Sequence, residues 1–203
     1  GLNPEVAIIT NIEHDHPDYY PTEADFFAAF TAFSKLVPPK GLLLYCVDDP
    51  GAIRLVQEIS PAGCRVKGYG ITPAGQPYLA QDLEPVVGGG IQFNAVCRGQ
   101  VHKIELPIPG IHNVRNALAA LAVADELALS IDEAAQALAE FHGTRRRFEV
   151  HPATWGVTLI DDYAHHPTEI QATLAAARAR YPEQRLWAVW QPHTYSRTRL
   201  LRS

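Results

Sequence analysis

The chain has 203 residues, of which 47% are hydrophobic and 19% are charged, and its formal net charge is -5 at pH 7. This balance predicts a folded globular chain rather than a disordered one, and it offers no basic surface for nucleic acid. The apolar runs are far shorter than the roughly 20 residues of a membrane-spanning helix, so we expect no membrane insertion, and three cysteines without CxxC spacing favour a reducing, cytoplasmic location.

The first seventy residues alternate between apolar strands and helices. A continuously apolar, β-branched run at 6–10 predicts a buried parallel strand, and the run at 42–47 predicts the next one. The helix between them is predicted to begin after Thr22 as its N-cap. A short helix near 52–59 and a strand near 65–69 continue the pattern. This alternation predicts an α/β fold, with a mostly parallel sheet and covering helices.

The pattern changes after residue 70. Three further strands, at 78–87, 91–97 and 102–106, are separated by polar or glycine-rich turns, which predicts an antiparallel meander at the edge of the sheet. Two helices are predicted next, near 112–127 and 131–141. The meander and these helices complete the first predicted domain.

The most favourable domain boundary lies at 143–147. We therefore assign residues 1–143 to a first domain and residues 144–203 to a second one. The predicted elements of the second domain are strands at 148–153, 157–160 and 186–190 and a helix at 167–180. Because about sixty residues with so few strands make a poor independent domain, we expect it to be the start of a second, Rossmann-like α/β domain.

A cluster of acids and imidazoles follows the first predicted strand. Ligand sites in open α/β sheets form at the carboxyl ends of strands. Glu13 and Asp15 offer carboxylate oxygens and His16 offers a nitrogen, a set that suits Mg²⁺ or Mn²⁺ better than zinc. The alternative interpretation is a solvated loop that caps the following helix.

Two further clusters lie at the start of a predicted helix and at the predicted domain boundary. Asn113 and Asn116 share one face at the start of a predicted helix, where side-chain amides can bind a purine edge; plain capping of the helix by Asn or His is the alternative. Consecutive arginines at 145–147 can bind phosphates or form a solvated linker.

The last two clusters follow predicted strands of the second domain. The segment 161–169 places two acids, a tyrosine and two histidines at a strand-to-helix turn, although a helix cap from Asp162 or Thr168 would satisfy the structure alone. The segment 191–199 adds Arg197, which can bind a carboxylate or a phosphate. Together the five clusters supply the metal ligands, amides and cations that phosphoryl transfer needs.

These clusters resemble the ordered motifs of Mur ligases. They are TNIEHDH at 10–16, GIHNVRN at 110–116, RRFE at 146–149, DDYAHHPTE at 161–169 and QPHTYSRT at 191–198. The resemblance covers nearly the whole chain, and the last two motifs are similar to those of the alanine-adding members of the family.

The resemblance implies ATP-dependent amide bond formation in peptidoglycan synthesis. ATP would phosphorylate the lactyl carboxylate of UDP-N-acetylmuramate, and the amine of L-alanine would attack the acyl phosphate and release phosphate. The implied cofactors are ATP and Mg²⁺ (or Mn²⁺). The sequence does not specify an oligomeric state.

The resemblance also implies roles for individual residues. They are metal ligation by Glu13 and His16; adenine contacts by His112, Asn113 and Asn116; nucleotide contacts by Arg147 and Asp162; and the amino-acid and carboxylate pocket by Tyr163, His165 and Arg197. Of the last three, His165 and Arg197 are the catalytic candidates.

The chain departs from the family in several places, two of which bear on its expected activity. Some members carry Arg where this chain has Thr194. The chain also lacks the GxxxxGK[ST] phosphate loop, which the family carries upstream, so we expect it to be the latter part of the central ATPase domain with the start of the C-terminal domain, and to be inactive alone. Two alternatives remain: a murein tripeptide recycling ligase or another Mur ligase, and a non-catalytic α/β binding module.

Overall fold

The computed structural model describes residues 2–59, 63–151, 155–192 and 198–199. Its larger sheet has six strands, arranged side by side in chain order. They are β1 (Val6–Ile9), β2 (Leu42–Cys46), β3 (Arg65–Gly70), β4 (Tyr78–Pro85), β5 (Ile91–Cys97) and β6 (Gln100–Leu106). Strands β1 to β4 are parallel to one another, whereas β5 is antiparallel to both β4 and β6. The predicted mostly parallel sheet with an antiparallel edge is therefore confirmed.

Helices cover both faces of this sheet. They are α1 (Glu23–Ser34), α2 (Pro50–Glu58), α3 (Ile111–Glu126) and α4 (Ile131–Ala139). Strand β2 is apolar at every position because both of its faces are buried. Leu42 and Leu44 lie in a core shared with α3, whereas Leu43 lies in a second core shared with α1 and α2. None of the described helices is long and apolar enough to span a bilayer.

A second, smaller sheet follows α4. It consists of β7 (Glu149–His151) and β8 (Leu159–Asp161), which pair antiparallel, and α5 (Pro167–Arg180) follows them. Phe148, Ala176 and Ala177 form the small buried core of this part. The predicted helix at 167–180 is confirmed.

The strand predicted at 186–190 is wrong. In the described part of the chain this run forms no strand, and the exposed fractions of Trp187 and Val189 are 77% and 99%. The strand predicted at 157–160 is present as β8, but it begins at Leu159, and that residue is 61% exposed. Apolar sequence alone does not make a buried strand where no facing layer covers it.

The start of α5 corrects the capping alternative stated for the segment 161–169. Neither Asp162 nor Thr168 caps this helix; His166 is the N-cap, and its imidazole accepts a hydrogen bond from the N–H of Thr168. The carboxylate of Glu169 accepts in return from the N–H of His166. His166 is buried, with an exposed fraction of 7%. An imidazole nitrogen can replace the usual hydroxyl or carboxylate of a capping box when it is held this close to the backbone.

Candidate active site

A cleft of about 980 Å³ lies beside the carboxyl ends of the parallel strands. Loops after β1 and β2, the start of α3 and the start of α5 all contribute to it. The predicted site residues that line it are Glu13, His16, His112, Asn113, Asn116, Arg147 and Asp162. The structure thus brings together side chains that are separated by as much as about 150 positions in the sequence.

The loop after β1 presents the two candidate metal ligands. The side chain of Glu13 is 45% exposed, and its Oε1 accepts a hydrogen bond of 2.6 Å from the hydroxyl of Thr168. His16 adopts a left-handed backbone conformation with φ of 54°, and its carbonyl accepts from the N–H groups of Tyr19 and Tyr20. This tight turn directs the loop towards the cleft.

Asp49 holds this loop in place. Its Oδ1 accepts from the N–H of Ala52 at 2.7 Å, which caps α2, and from the N–H of Ile12 at 3.0 Å. One carboxylate therefore fixes the start of a helix and the loop that carries Glu13. Sequence reasoning missed Asp49, because an Asp before Pro and Gly is equally typical of an ordinary turn.

Gly51→Ala is expected to destabilise the chain and loosen the loop at 11–16. Helix propensity alone would make this change favourable. A methyl group at position 51, however, would lie 2.3 Å from the carbonyl oxygen of Ile12. We expect the free energy of unfolding to fall by about 1–3 kcal/mol, and amide exchange at 11–16 to rise while exchange in β5 stays unchanged. A variant as stable as the parent would contradict this close approach.

The start of α3 presents amides and an imidazole rather than a helix cap. Gly110 is the N-cap, and no side chain makes a capping hydrogen bond there, so the interpretation of this cluster as plain capping is wrong. The Nδ2 of Asn113 donates to the carbonyl of Pro109 at 2.7 Å, which orients its amide. Burial lowers the pKa of His112; the neighbouring guanidinium groups act in the same direction, and Asp162 opposes them. His112 is therefore uncharged at neutral pH.

Arg115 and Asp48 form an ion pair in the cleft, in which only the carboxylate is buried. The Nε of Arg115 lies 2.9 Å from Oδ2 of Asp48, whose side chain is only 3% exposed. Burial raises the pKa of Asp48, but hydrogen bonds from the N–H groups of Ile71 and Thr72 and from Arg115 outweigh it, so the pKa lies below its ordinary value. Sequence reasoning assigned Asp48 no role. The ionised carboxylate of Asp48 holds the guanidinium of Arg115 at the wall of the cleft.

Asp162 and Arg147 line the cleft from the side of the smaller sheet. The two carboxylate oxygens of Asp162 accept from the N–H of Phe148 at 2.8 Å and from the N–H of Ala164 at 2.7 Å. Asp162 therefore links the backbone of the RRFE motif at 146–149 to the backbone of its own motif, DDYAHHPTE at 161–169. Arg147 is 54% exposed and lies 3.6 Å from Glu169, so its guanidinium lies at the mouth of the cleft.

Tyr163 and His165, both described, do not line the cleft. They lie beside it: the Nδ1 of His165 is 2.9 Å from the carbonyl of Tyr163, and its Nε2 is 3.9 Å from Asp15. Arg197, with the rest of 193–197, lies outside the described residues. Its assignment stays a prediction.

Glu13 and His16 fit a metal that takes most of its ligands from phosphate and water. Mg²⁺ in phosphoryl-transfer sites needs only one or two protein ligands. Among the described residues, three potential ligand atoms lie within 4.8 Å of one another only at Glu149, His151 and Asp161. Arg146 already contacts that group, because its backbone N–H donates to Glu149 at 2.8 Å and its guanidinium lies 3.6 Å from Asp161.

Comparison with known proteins identifies the family. The family model of the Mur ligase middle domain matches residues 1–124, and that of the Mur ligase glutamate ligase domain matches residues 146–200. The chain belongs to the Mur ligase family. In this Mur ligase chain, residues of both matched regions line the same cleft, Glu13 and Asn113 from the first and Arg147 and Asp162 from the second.

Two curated relatives of this Mur ligase chain carry the same name. It is 43% identical to the UDP-N-acetylmuramate--L-alanine ligase of Chloroflexus aggregans, over 99% of this chain and 45% of that protein. It is 45% identical to the protein of the same name in Salinibacter ruber, over 97% of this chain and 41% of that one. The chain thus spans less than half the length of these relatives.

A solved structure supports the same family. The UDP-N-acetylmuramate-alanine ligase of Thermotoga maritima superposes with a TM-score of 0.71 at 26% identity, over 89% of this chain and 40% of that one. The predicted α/β architecture and its Mur ligase resemblance are therefore confirmed together.

Proposed function

We propose that this Mur ligase chain acts in ATP-dependent joining of L-alanine to UDP-N-acetylmuramate in peptidoglycan synthesis, through an acyl phosphate. The observation that carries the proposal is the single cleft that joins Glu13, His112 and Arg147. The name shared by relatives at 43% and 45% identity supports alanine as the amino acid. We also propose the division into residues 1–143 and 144–203, with the nucleotide between the two parts.

The nucleotide would lie against the start of α3. His112 would present an uncharged ring to adenine, because burial lowers its pKa. Asn113 would bind the purine edge with its acceptor oxygen and remaining N–H, since its other N–H donates to Pro109. Asn116 would contribute a second amide, and Arg147 would offset phosphate charge from across the cleft.

Glu13 and His16 would hold Mg²⁺ beside the phosphates. When bound, the metal neutralises phosphate charge and orients the phosphoryl group for transfer. The guanidinium of Arg115, held by Asp48 at 2.9 Å, would offset further negative charge in the same cleft. These groups supply the positioning and charge neutralisation that phosphoryl transfer requires.

Tyr163, His165 and Arg197 would serve the amino acid and the reacting carboxylate. A carbonyl only accepts hydrogen bonds, so the Nδ1 of His165 carries the proton that it donates to Tyr163. In the uncharged ring, Nε2 is then the basic nitrogen and suits removal of a proton from the attacking amine. Arg197 would stabilise the negative charge that develops on the carboxylate.

The test is the substrate requirement of phosphate release by the full-length gene product. We expect release that depends on ATP, UDP-N-acetylmuramate and L-alanine together, and no release by the 203-residue chain alone. Activity with the murein tripeptide but not with L-alanine would instead identify a recycling ligase. A full-length product without phosphate release on either substrate would support the non-catalytic binding module.

A further inference from the structure

Helix α5 contacts the first part of the chain at both of its ends. At its start, the hydroxyl of Thr168 donates to Glu13 at 2.6 Å. At its end, Arg180 lies against Gly89, in the turn between β4 and β5. Since an α-helix rises about 1.5 Å per residue, the two contacts lie roughly 18 Å apart along the helix. Two contacts at this separation fix the direction of α5, whereas one alone would allow the helix to pivot about it.

The contact at the end of α5 depends on the missing side chain of Gly89. A Cβ atom at this position would lie 2.5 Å from Cδ and 2.7 Å from Nε of Arg180, and closer still to Cγ. Carbon atoms in contact are normally 3.5–4.0 Å apart. The stem of Arg180 therefore occupies the space that a side chain at position 89 would take.

The neighbouring glycine of the same turn makes no such contact. Gly88 has φ of 98°, close to the 90° of Gly89, but a Cβ atom there would meet no atom of the described residues within 4 Å. The turn is closed by two hydrogen bonds, from the N–H of Gly89 to the carbonyl of Val86 and from the N–H of Val86 to the carbonyl of Gly90. Gly88 and Gly89 thus meet the same backbone requirement and differ in their contact with α5.

Packing rather than charge holds Arg180 at this turn. Its side chain is partly buried, and in the described part of the chain its guanidinium forms no ion pair. The ring of Tyr181 lies 5.7 Å from the guanidinium carbon. Arginine commonly buries its aliphatic stem along a surface in this way while its head group stays in water.

Helix α5 is joined to the residues that line the cleft from the second part of the chain. Phe148 packs on Ala176 and Ala177 of α5, and the N–H of Phe148 donates to Asp162 at 2.8 Å. Arg147 directly precedes Phe148 in the sequence. A rotation of α5 would therefore move both Arg147 and Asp162 relative to the start of α3.

We propose that Arg180 is a positioning residue for the nucleotide site: its stem, packed on Gly89, fixes the end of α5 and so places Arg147 and Asp162 across the cleft from α3. This inference rests on the proposed place of the nucleotide between the two parts of the chain, and it deepens that proposal. It assigns a role in nucleotide binding to a turn of the antiparallel meander that lies outside the cleft.

The test measures ADP binding to the full-length gene product by isothermal titration calorimetry, with Mg²⁺ in excess. We expect Gly89→Ala to weaken ADP binding at least about 5-fold, since the added methyl group displaces Arg180. Gly88→Ala is the matched control, because it adds the same methyl group at a similar φ in the same turn. It should bind ADP within about 2-fold of the parent. The midpoint of thermal unfolding should fall by a similar amount in both variants, because both place a Cβ at positive φ.

Substitutions of Arg180 test the same contact from its other side. Arg180→Ala should weaken ADP binding about as much as Gly89→Ala, and the double variant should bind little more weakly than either single one, because both changes remove one contact. Arg180→Met keeps most of the stem without the charge, so it should bind ADP within about 2-fold of the parent.

Equal ADP affinities of Gly89→Ala and Gly88→Ala, at any level, would overturn the inference. Arg180→Met binding ADP as weakly as Arg180→Ala would also overturn it. Asn113→Ala separates the two proposals. If Asn113→Ala weakens ADP binding while Gly89→Ala does not, only the role of Arg180 fails. If Asn113→Ala binds ADP like the parent, or the parent binds no ADP, the proposed place of the nucleotide fails and the inference falls with it.

Discussion

Glu13→Gln is expected to lower alanine-dependent phosphate release by the full-length gene product roughly 100-fold or more. The amide would remove the negative charge that holds the cation, while its oxygen could still accept the hydrogen bond from Thr168. Because the side chain of Glu13 is 45% exposed, the fold should tolerate the change. Phosphate release is measured at limiting and at saturating Mg²⁺, with the midpoint of thermal unfolding recorded for each variant.

The shape of the Mg²⁺ dependence distinguishes a ligand from a residue that only shapes the loop. If Glu13 is a metal ligand, its variant should need more Mg²⁺ for half-maximal activity. If Glu13 only shapes the loop, its variant should lose activity at every Mg²⁺ concentration. Glu105→Gln is the control, since that glutamate is exposed on β6 and lies outside the cleft. A Glu13→Gln enzyme with the parent's activity at limiting Mg²⁺ would end the assignment.

Local sequence rules predict the larger sheet well because the residues that determine each strand or helix lie within that element or next to it. The run at 42–47 is apolar at successive positions because both faces of β2 are covered. Thr22 begins α1 with a capping box to Asp25, as its position before the acidic first turn indicates. In both cases the signal lies within a few residues of the structure that it predicts.

The run at 186–190 shows where the same rules fail. Its composition is that of a buried strand, yet Val189 is 99% exposed, because burial depends on what packs against a segment rather than on the segment itself.

The sequence predicts many residues of the site but not the contacts between them. Position after a strand indicated that Glu13 and Asp162 would each lie at the carboxyl end of a strand, where ligand sites form. The capping imidazole of His166, the shared carboxylate of Asp49 and the hydrogen bond from Thr168 to Glu13 all depend on tertiary contacts. Nothing in the local sequence distinguishes Asp49 from other turn residues.

A buried carboxylate at the far end of α3 is expected to make the fold sensitive to acid. The side chain of Glu126 is 1% exposed and lies against the cationic groups of Arg65, Lys67 and Arg98. The hydroxyl of Tyr78 also donates to it, at 2.5 Å. Burial alone would raise the pKa of Glu126, but these hydrogen bonds outweigh burial and lower the pKa to about 2. The cations also lie at the negative end of the α3 dipole, which favours them there.

Glu126→Gln is therefore expected to lower the free energy of unfolding by about 3 kcal/mol at pH 7. The unfolded carboxyl titrates near 4.5 and the folded one near 2, so the stabilisation is complete above pH 4.5 and disappears as the pH falls towards 2. Urea unfolding of parent and variant between pH 2 and pH 7 should show their difference shrinking over this window, because other carboxyls titrate equally in both. Glu105→Gln, which replaces an exposed glutamate on β6, is the control. A Glu126→Gln difference that stays constant with pH would show that the charge of Glu126 does not stabilise the fold, and that its contribution is packing alone.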